Sequence, residues 1–328
     1  MTSLYNDKVS DYYSSVSSSA SLTTAPTTAT QSSTAVTTSS HMQSTLLRLS
    51  KERLNQVRDI LLAFEEENMD ANEYMKPIII KENVSLEAYI KYRETERKLP
   101  VSIRLIDGKI IAYEVPLSSH GAVAGEIAFL IRTWSNNQLH NLHEEDLIIG
   151  PNSYYTADLT IRPQDLPKAP AGQGSNSEGN AYPTLVVEVG NSETIPSLHD
   201  LSTGYFSPRT TIQIYIAIKL FSKRLDGTMA MLALRYLRTN QNNIVPDIVI
   251  SFGTAPLHHN TIGFLTNTVG VLHANITGGF GFSATACNAP GIPNYQLHIP
   301  AVELFNGSPV GIPAGAINGF YLDLWELK

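Results

Sequence analysis

Cysteine is almost absent from this chain of 328 residues, which contains Cys287 alone. An internal disulfide is therefore excluded, and this cysteine usage predicts an intracellular protein of the cytoplasm or nucleus. The N-terminus has no apolar core of the kind found in secretory signals, and no apolar run approaches the ~20 residues that span a bilayer. The sequence thus predicts neither secretion nor membrane association.

An excess of positive charge is also missing, because the formal net charge at pH 7 is −7. Proteins that bind nucleic acids usually carry a basic footprint. Binding of a nucleic acid by this acidic chain would therefore require a local basic patch, which the linear sequence does not locate.

Large apolar side chains are scarce in residues 1–43, where Ser, Thr and Ala dominate. A segment of this composition buries too little surface to offset the entropy lost on ordering. Residues 1–43 are therefore predicted to form a disordered tail.

Heptad spacing appears in the next segment, 44–84. Leu47, Leu54 and Leu61 follow one another at intervals of seven residues and predict an amphipathic helix over 47–64, followed by a linker. Two interpretations remain open for its apolar stripe. The helix packs against its own domain, or it pairs with a second copy and makes a homo-oligomer.

Alternating helix and strand signals follow from residue 85. Helices are predicted over 85–99 and 120–134, separated by a hairpin over 101–116 whose Asp107-Gly108 turn is typical of two-residue connections. The polar segment 136–146 is predicted to be a loop. Its histidines, His140 and His143, are spaced as metal ligands can be, although solvated loops of this composition are more common.

Acidic residues interrupt two runs that otherwise resemble buried strands. Asp158 lies within Ile148–Pro163, and Glu188 lies within the apolar run Leu185–Val189. A carboxylate in such a strand is costly unless a metal, a cation or several donors meet it. The pair therefore indicates either a shared charge-handling site or two structural carboxylates tied to backbone donors or to Arg162.

The order of elements predicts an α/β fold, a mixed sheet flanked by helices. A further strand is predicted over Arg209–Leu220, where isoleucines alternate with polar or small residues. From residue 225 to residue 328 the texture changes to short strand-like runs among Gly-rich and Pro-rich segments. We predict that residues 225–328 form a β-rich C-terminal lobe.

Five stretches of the chain resemble, in order, the Uma-type putative restriction endonuclease family, which belongs to the PD-(D/E)XK nuclease-like superfamily. They are SLEAYIKY, RLIDGKI, PLSSHGAVAGEI, TADLTI and PTLVVEVGNSET, and the resemblance as a whole covers the chain from about Ser85 to Lys219. The chain is most similar to fungal-type variants of the family. The resemblance implies a restriction-endonuclease-like core over residues 85–224.

The resemblance also implies a chemistry. Asp158 and Glu188 match the metal-binding aspartate and glutamate of the family, and oxygen ligands of this kind select Mg²⁺ or Mn²⁺. The implied reaction is hydrolysis of phosphodiester bonds by metal-activated water, with DNA as the implied partner. His120 matches a histidine at the start of the first core helix, where it would orient a ligand or the phosphate.

Three positions depart from the family pattern. Ala157 replaces the proline before the aspartate, Arg104 replaces an acidic residue, and the lysine of E-x-K falls at Gly190. Another lysine of many relatives falls near Gly204.

Lys219 or Arg209 would have to supply the missing positive charge, and Lys219 is our predicted catalytic cation. The departures leave two functional classes open: an active metal-dependent endonuclease, and a degenerate nuclease-like domain that serves as a binding or assembly module.

Overall fold

The computed structural model describes residues 47–67, 76–96, 98–272, 276–277 and 287–328. The predicted tail, 1–43, lies outside the described residues. Within the described part of the chain, no helix combines the length and apolar character needed to cross a membrane.

A mixed sheet forms the centre of the molecule, which confirms the predicted fold class. Nine strands follow the order β1-β3-β2-β5-β6-β7-β8-β9-β10, and β4 pairs with β5 outside this path. Most neighbours are antiparallel, whereas β6 pairs with β7 and β9 with β10 in parallel. The strands of this sheet are β1 (Ile78–Lys81), β2 (Ser102–Ile106), β3 (Lys109–Glu114), β4 (Leu139–Gly150), β5 (Ser153–Pro163), β6 (Leu185–Gly190), β7 (Ile214–Leu220), β8 (Ala230–Leu237), β9 (Ile248–Gly253) and β10 (Ile276–Thr277).

Helices cover the sheet, and a small second sheet follows near the C-terminus. The helices are α1 (Lys51–Glu67), α2 (Leu86–Thr95), α3 (Ser118–Trp134), α4 (Ile195–Tyr205), α5 (His259–Asn267) and α6 (Ala301–Leu304). The second sheet pairs β11 (Gln296–Ile299) with β12 (Phe320–Asp323). Apolar residues of α3 and of this second sheet share one core, while those of α4 and α5 share another.

The apolar stripe of α1 is buried within its own chain. Leu54, Val57 and Leu61 are each at most 1% exposed and pack with the β2–β3 hairpin and α2. The helix therefore uses this stripe for intramolecular packing, the first of the two interpretations. Pairing with a second copy through the 47–64 helix stays a prediction.

The prediction of a polar loop over residues 136–146 is wrong from residue 139 onward. It forms the first half of β4, which pairs with β5 along almost its whole length, from Leu139 opposite Pro163 to Gly150 opposite Ser153. The segment is polar because much of this half is exposed, while its buried Glu145 has a cationic partner, Arg162. The polar composition of residues 139–146 therefore led to the prediction of a loop where the chain forms β4.

The C-terminal β-rich segment is shared between the two sheets. β8 pairs with β7 and β9 pairs with β8, so residues beyond 225 extend the central sheet instead of beginning a detached one. β11 and β12 form the separate small sheet.

Strand β5 changes partner and orientation at Asp158. Along one edge it pairs with β2 at Tyr154 and with β6 from Leu159 to Ile161. Ala157 packs into the core on the α4 side, whereas Leu159 packs into the core on the α3 side. Residues two apart on a regular strand share a face, so β5 twists sharply here. This twist places Asp158 where β2 and β6 part.

Candidate active site

Asp158 is held by two donors from different elements. His120, in the first turn of α3, places its Nε2 atom 2.6 Å from Oδ1 of Asp158. The backbone N–H of Val189 donates to Oδ2 over 2.7 Å. Because Val189 follows Glu188 on β6, this bond fixes Asp158 beside the second predicted acid.

Glu188 is almost fully enclosed, at 2% exposure. The hydroxyl of Tyr205, at the end of α4, donates a hydrogen bond to its Oε1 atom. Burial raises the pKa of Glu188 well above its usual range, and the nearby charge of Asp158 raises it further, while Arg104 opposes the shift. The structure thus brings Asp158 and Glu188 close enough for their charges to interact.

His120 carries a positive charge at neutral pH. Burial by itself would lower its pKa, but the hydrogen bond to Asp158 and the charges of Asp158 and Glu114 raise the pKa to about 9. Its other ring nitrogen, Nδ1, is buried and has no hydrogen-bond partner in the described part of the chain. His120 therefore acts through Nε2, as an anchor for the aspartate.

Glu114, at the end of β3, organises the turn that follows Glu188. Its Oε1 atom accepts the backbone N–H groups of Asn191 and Ser192, each at 3.0 Å, and its Oε2 accepts that of Glu193 at 2.9 Å. Burial raises the pKa of Glu114 to about 7, against the lowering effect of His120. The turn after β6 is thereby tied to the β2–β3 hairpin.

Arg104 forms a buried ion pair with Glu193. Two nearly parallel contacts, 2.9 and 3.0 Å long, join its Nη1 and Nη2 atoms to the two carboxylate oxygens. The guanidinium carbon also lies 3.4 Å from the centre of the Tyr113 ring. The cation that replaces an acidic residue of the family pattern thus has a buried acid of the same chain as its partner.

Lys219 lies on β7 next to Gly190, the position at which the E-x-K lysine of the family would stand. In the parallel β6–β7 ladder, Lys219 is the partner of Gly190, and Ala217 is the partner of Glu188. Paired residues in a parallel ladder and residues two apart on a strand share a face, so Lys219 projects on the Glu188 side. Its ammonium group donates to the backbone carbonyl of Asn191, and its charge lowers the pKa of Glu114.

Both glycines that replace family lysines stand in confined space. A Cβ atom at Gly190 would lie 2.9 Å from Cδ1 of Leu198, and one at Gly204 would lie 2.6 Å from the ring of Tyr155. A lysine at either position would require its neighbours to move. The local packing therefore agrees with the loss of both side chains.

Arg209 lies away from the two acids. It precedes β7, at the end of the parallel strands opposite to Lys219, where it lines a separate cavity together with Tyr182. Arg209 is therefore not the cation of this site.

A cleft of about 540 Å³ opens beside Asp158. Its polar lining comes from α2, β2, β3, α3, β4 and β5, and it includes Arg93, Tyr113, His120, His143, Glu144 and Asp158. His143 belongs to this lining, whereas His140, three residues away on the same strand, points to the opposite face. The two histidines therefore do not form a joint metal site.

Four residues of this site were not predicted: Tyr113, Glu114, Glu193 and Tyr205. Tyr113 lines the cleft, and burial together with the charges of Glu188 and Asp158 raises its pKa, against the effect of Arg104. Glu193 lies in the same recognisable stretch as Glu188, which was an available signal. Glu114 and Tyr205 are distant in sequence, so only the fold reveals their contacts.

The donor set fits a hard divalent cation of the Mg²⁺ type. Each oxygen of Asp158 accepts one hydrogen bond, and a carboxylate oxygen has two lone pairs, so both oxygens retain capacity for a cation. Within the described residues, no group of three or more His, Cys, Asp and Glu side chains is arranged around a common metal position. Mg²⁺ commonly uses one or two carboxylates and completes its shell with water and substrate oxygens, which matches a two-acid site.

Part of the chain matches a family of known proteins. Residues 86–226 match the model of the Uma2 family, described as putative restriction endonuclease. Among solved structures, the chain is similar to the crystal structure of a putative nuclease belonging to DUF820 from Anabaena variabilis. The two share 16% sequence identity over 52% of this chain and 84% of that chain, with a TM-score of 0.36. No curated protein matches the chain.

The matched range contains every residue of the site described above, from Arg93 to Lys219. The site therefore lies within the part of the chain that matches the Uma2 putative restriction endonuclease model, residues 86–226.

Proposed function

We propose that this protein is a metal-dependent endonuclease that hydrolyses phosphodiester bonds of nucleic acids with metal-activated water. The observation that carries the proposal is that Asp158, which lines a polar cleft, is hydrogen-bonded over 2.7 Å to the backbone N–H of Val189, the residue that follows the buried Glu188. Two acids in a buried setting repel one another, and a divalent cation would relieve that repulsion. The family of the domain supports the same chemistry.

Asp158 and Glu188 are the proposed ligands of Mg²⁺ or Mn²⁺. Bound there, the ion would polarise the phosphodiester and activate a water molecule for attack. The protein contributes the fixed positions of its two acids. His120 and the Val189 N–H hold Asp158, and Tyr205 holds Glu188. Such outer contacts orient ligands and commonly account for 10–100-fold in affinity or activity.

Lys219 is the proposed positive charge that replaces the missing E-x-K lysine. It stands opposite Gly190 in the ladder and on the same face as Glu188. A cation near the reacting phosphate stabilises the negative charge that develops during attack. For this role, the ammonium of Lys219 would have to interact with the reacting phosphate as well as with the carbonyl of Asn191.

A plasmid-nicking assay with Mg²⁺ and with Mn²⁺ tests the proposal. Wild type is expected to convert supercoiled plasmid to the nicked form, and both Asp158→Asn and Glu188→Gln are expected to lose this activity. Glu145→Gln is the matched control, because Glu145 is also buried but pairs with Arg162. Cleavage that survives in Glu188→Gln would contradict the proposal. A wild type that binds metal without nicking would indicate a binding module that has lost hydrolysis.

A further inference from the structure

A groove of about 530 Å³ runs between the start of α1 and the end of α2. We propose that this basic groove, whose charged lining is Arg48, Lys51, Lys98 and Glu96, binds the sugar–phosphate backbone of a nucleic-acid substrate. The inference rests on the proposed function and adds the surface that receives the substrate beyond the cleavage site.

The charge of the basic groove is opposite to that of the whole chain. Three cations and one acid line it, while the chain as a whole carries −7. Arg48, Lys51 and Lys98 are all exposed, so their charges are available to a ligand. Glu52, the neighbour of Lys51, accepts a hydrogen bond from the Ser50 hydroxyl at 2.7 Å and is not part of the lining.

The basic groove adjoins the cleft beside Asp158. Leu99 lines both, and residues 98–103 pass from one to the other in sequence order. On α2, Tyr92 lines the basic groove and its neighbour Arg93 lines the cleft. A strand lying in the cleft would therefore extend along these cations without leaving the surface.

Arg93 lines the cleft at its border with the basic groove. Its Nε atom is buried and has no hydrogen-bond partner within the described residues. Buried donors in proteins nearly always have a partner, and a phosphate oxygen is a suitable acceptor for a guanidinium. Because Arg93 lines the cleft, its guanidinium is the proposed partner of a phosphate at this junction.

Two of the groove cations lie outside the matched nuclease domain. Arg48 and Lys51 precede residue 86, where that domain begins. The N-terminal helix α1 is held in place by Leu54, Val57 and Leu61, all of which are buried. The N-terminal addition therefore supplies part of the local basic patch that an acidic nuclease requires.

Binding of DNA by a charge-neutralised variant tests the proposal. The variant Arg48→Gln/Lys51→Gln/Lys98→Gln removes the groove cations, and Lys109→Gln/Lys168→Gln/Lys223→Gln removes the same charge from exposed positions elsewhere. Fluorescence anisotropy with a labelled 20-bp DNA duplex in EDTA, over a series of salt concentrations, measures affinity without cleavage. A duplex of about 20 bp is roughly 70 Å long, at ~3.4 Å for each base pair along a strand.

The groove variant is expected to bind the duplex at least about tenfold more weakly. Its plot of log affinity against log salt should be shallower by about 2–3, since each lost phosphate contact removes about 0.9 from the slope. The control variant should stay within about twofold of wild type. Circular dichroism melting of both variants verifies that these exposed substitutions leave the fold intact.

Three results would overturn the basic groove as a nucleic-acid site. They are wild-type affinity in the groove variant, equal losses in both variants, and no binding by wild type. Displacement of the duplex by polyglutamate as efficiently as by unlabelled DNA at equal charge would assign the groove to acidic polypeptides. Plasmid nicking is scored separately. Nicking by a wild type whose groove variant keeps full affinity would refute the groove alone, and groove-dependent binding without nicking would refute the proposed hydrolysis alone.

Discussion

Glu145 and Glu188 are both buried glutamates on strands that flank β5, yet their surroundings differ. Glu145 lies on β4 and has partners of opposite or neutral character, the guanidinium of Arg162 and the hydroxyl of Thr160. Glu188 lies on β6 at the other edge of β5 and faces a second carboxylate, Asp158. A buried acid with its own cation is structurally complete. A buried acid beside another acid is not, and this distinguishes a functional site from a structural ion pair.

Stability should separate the two glutamates most strongly. Glu145→Gln leaves the buried guanidinium of Arg162 without its counter-charge, and we expect a loss of about 3–5 kcal/mol in the free energy of unfolding. Glu188→Gln removes a carboxyl group whose ionised form is disfavoured by burial and by Asp158, so its stability should equal or exceed that of wild type. Urea denaturation of the three proteins in EDTA measures the difference. Equal losses in both variants would erase the distinction.

Activity should separate them in the reverse order. Glu188→Gln is expected to lower the rate of plasmid nicking by more than about a hundredfold, because contacts to metal ligands alone account for 10–100-fold. Glu145→Gln, assayed below its melting temperature, should nick at close to the wild-type rate. A comparable fall in Glu145→Gln would show that the assay reports folding.

The pH dependence of stability should reveal the ion pair that holds Asp158. The pKa of His120 is raised from 6.5 to about 9 in the folded protein, so its contribution is complete below pH 6.5 and is lost as the pH rises toward 9. Without divalent metal, wild type should lose about 2 kcal/mol more than His120→Gln over this interval. Parallel pH profiles for the two proteins would contradict the ion pair.

The smallest expected difference concerns the hydroxyl groups that donate hydrogen bonds to the two glutamates, those of Tyr205 and Thr160. Tyr205→Phe removes the donor to Glu188, and we expect nicking to slow by about tenfold. Thr160→Val removes the donor to Glu145 and should affect stability without slowing nicking. Initial nicking rates at saturating metal measure both effects. If nicking slowed in Thr160→Val but not in Tyr205→Phe, the assignment of Glu188 to activity and of Glu145 to stability would be contradicted.

Local patterns in the sequence predicted much of the fold. The Asp107-Gly108 turn joins β2 and β3, and Asp107 has the positive φ of 47° that such turns require. The apolar run at Leu185 became β6, which is buried on both faces. The first half of β4 was missed because its exposed side chains are polar and its buried Glu145 is matched by a residue on another strand.

The sequence predicted the two acids of the candidate site but not the residues that hold them in place. Asp158 and Glu188 stood out because each interrupts an apolar strand. Glu114 and Tyr205 did not stand out, since their roles depend on a hairpin and a helix that the fold carries to β6. The partner of Arg104 was hidden in the same way, because the fold brings it to Glu193, 89 positions away in the sequence. Contacts across such separations have no signature in a single sequence.

Calorimetric titration with Mn²⁺ tests the central claim most directly, on wild type, Glu188→Gln and Glu145→Gln. The claim predicts one binding event in wild type and in Glu145→Gln, and its loss in Glu188→Gln. Equal Mn²⁺ binding by wild type and Glu188→Gln, or no binding by wild type, would contradict a cation site at Asp158 and Glu188.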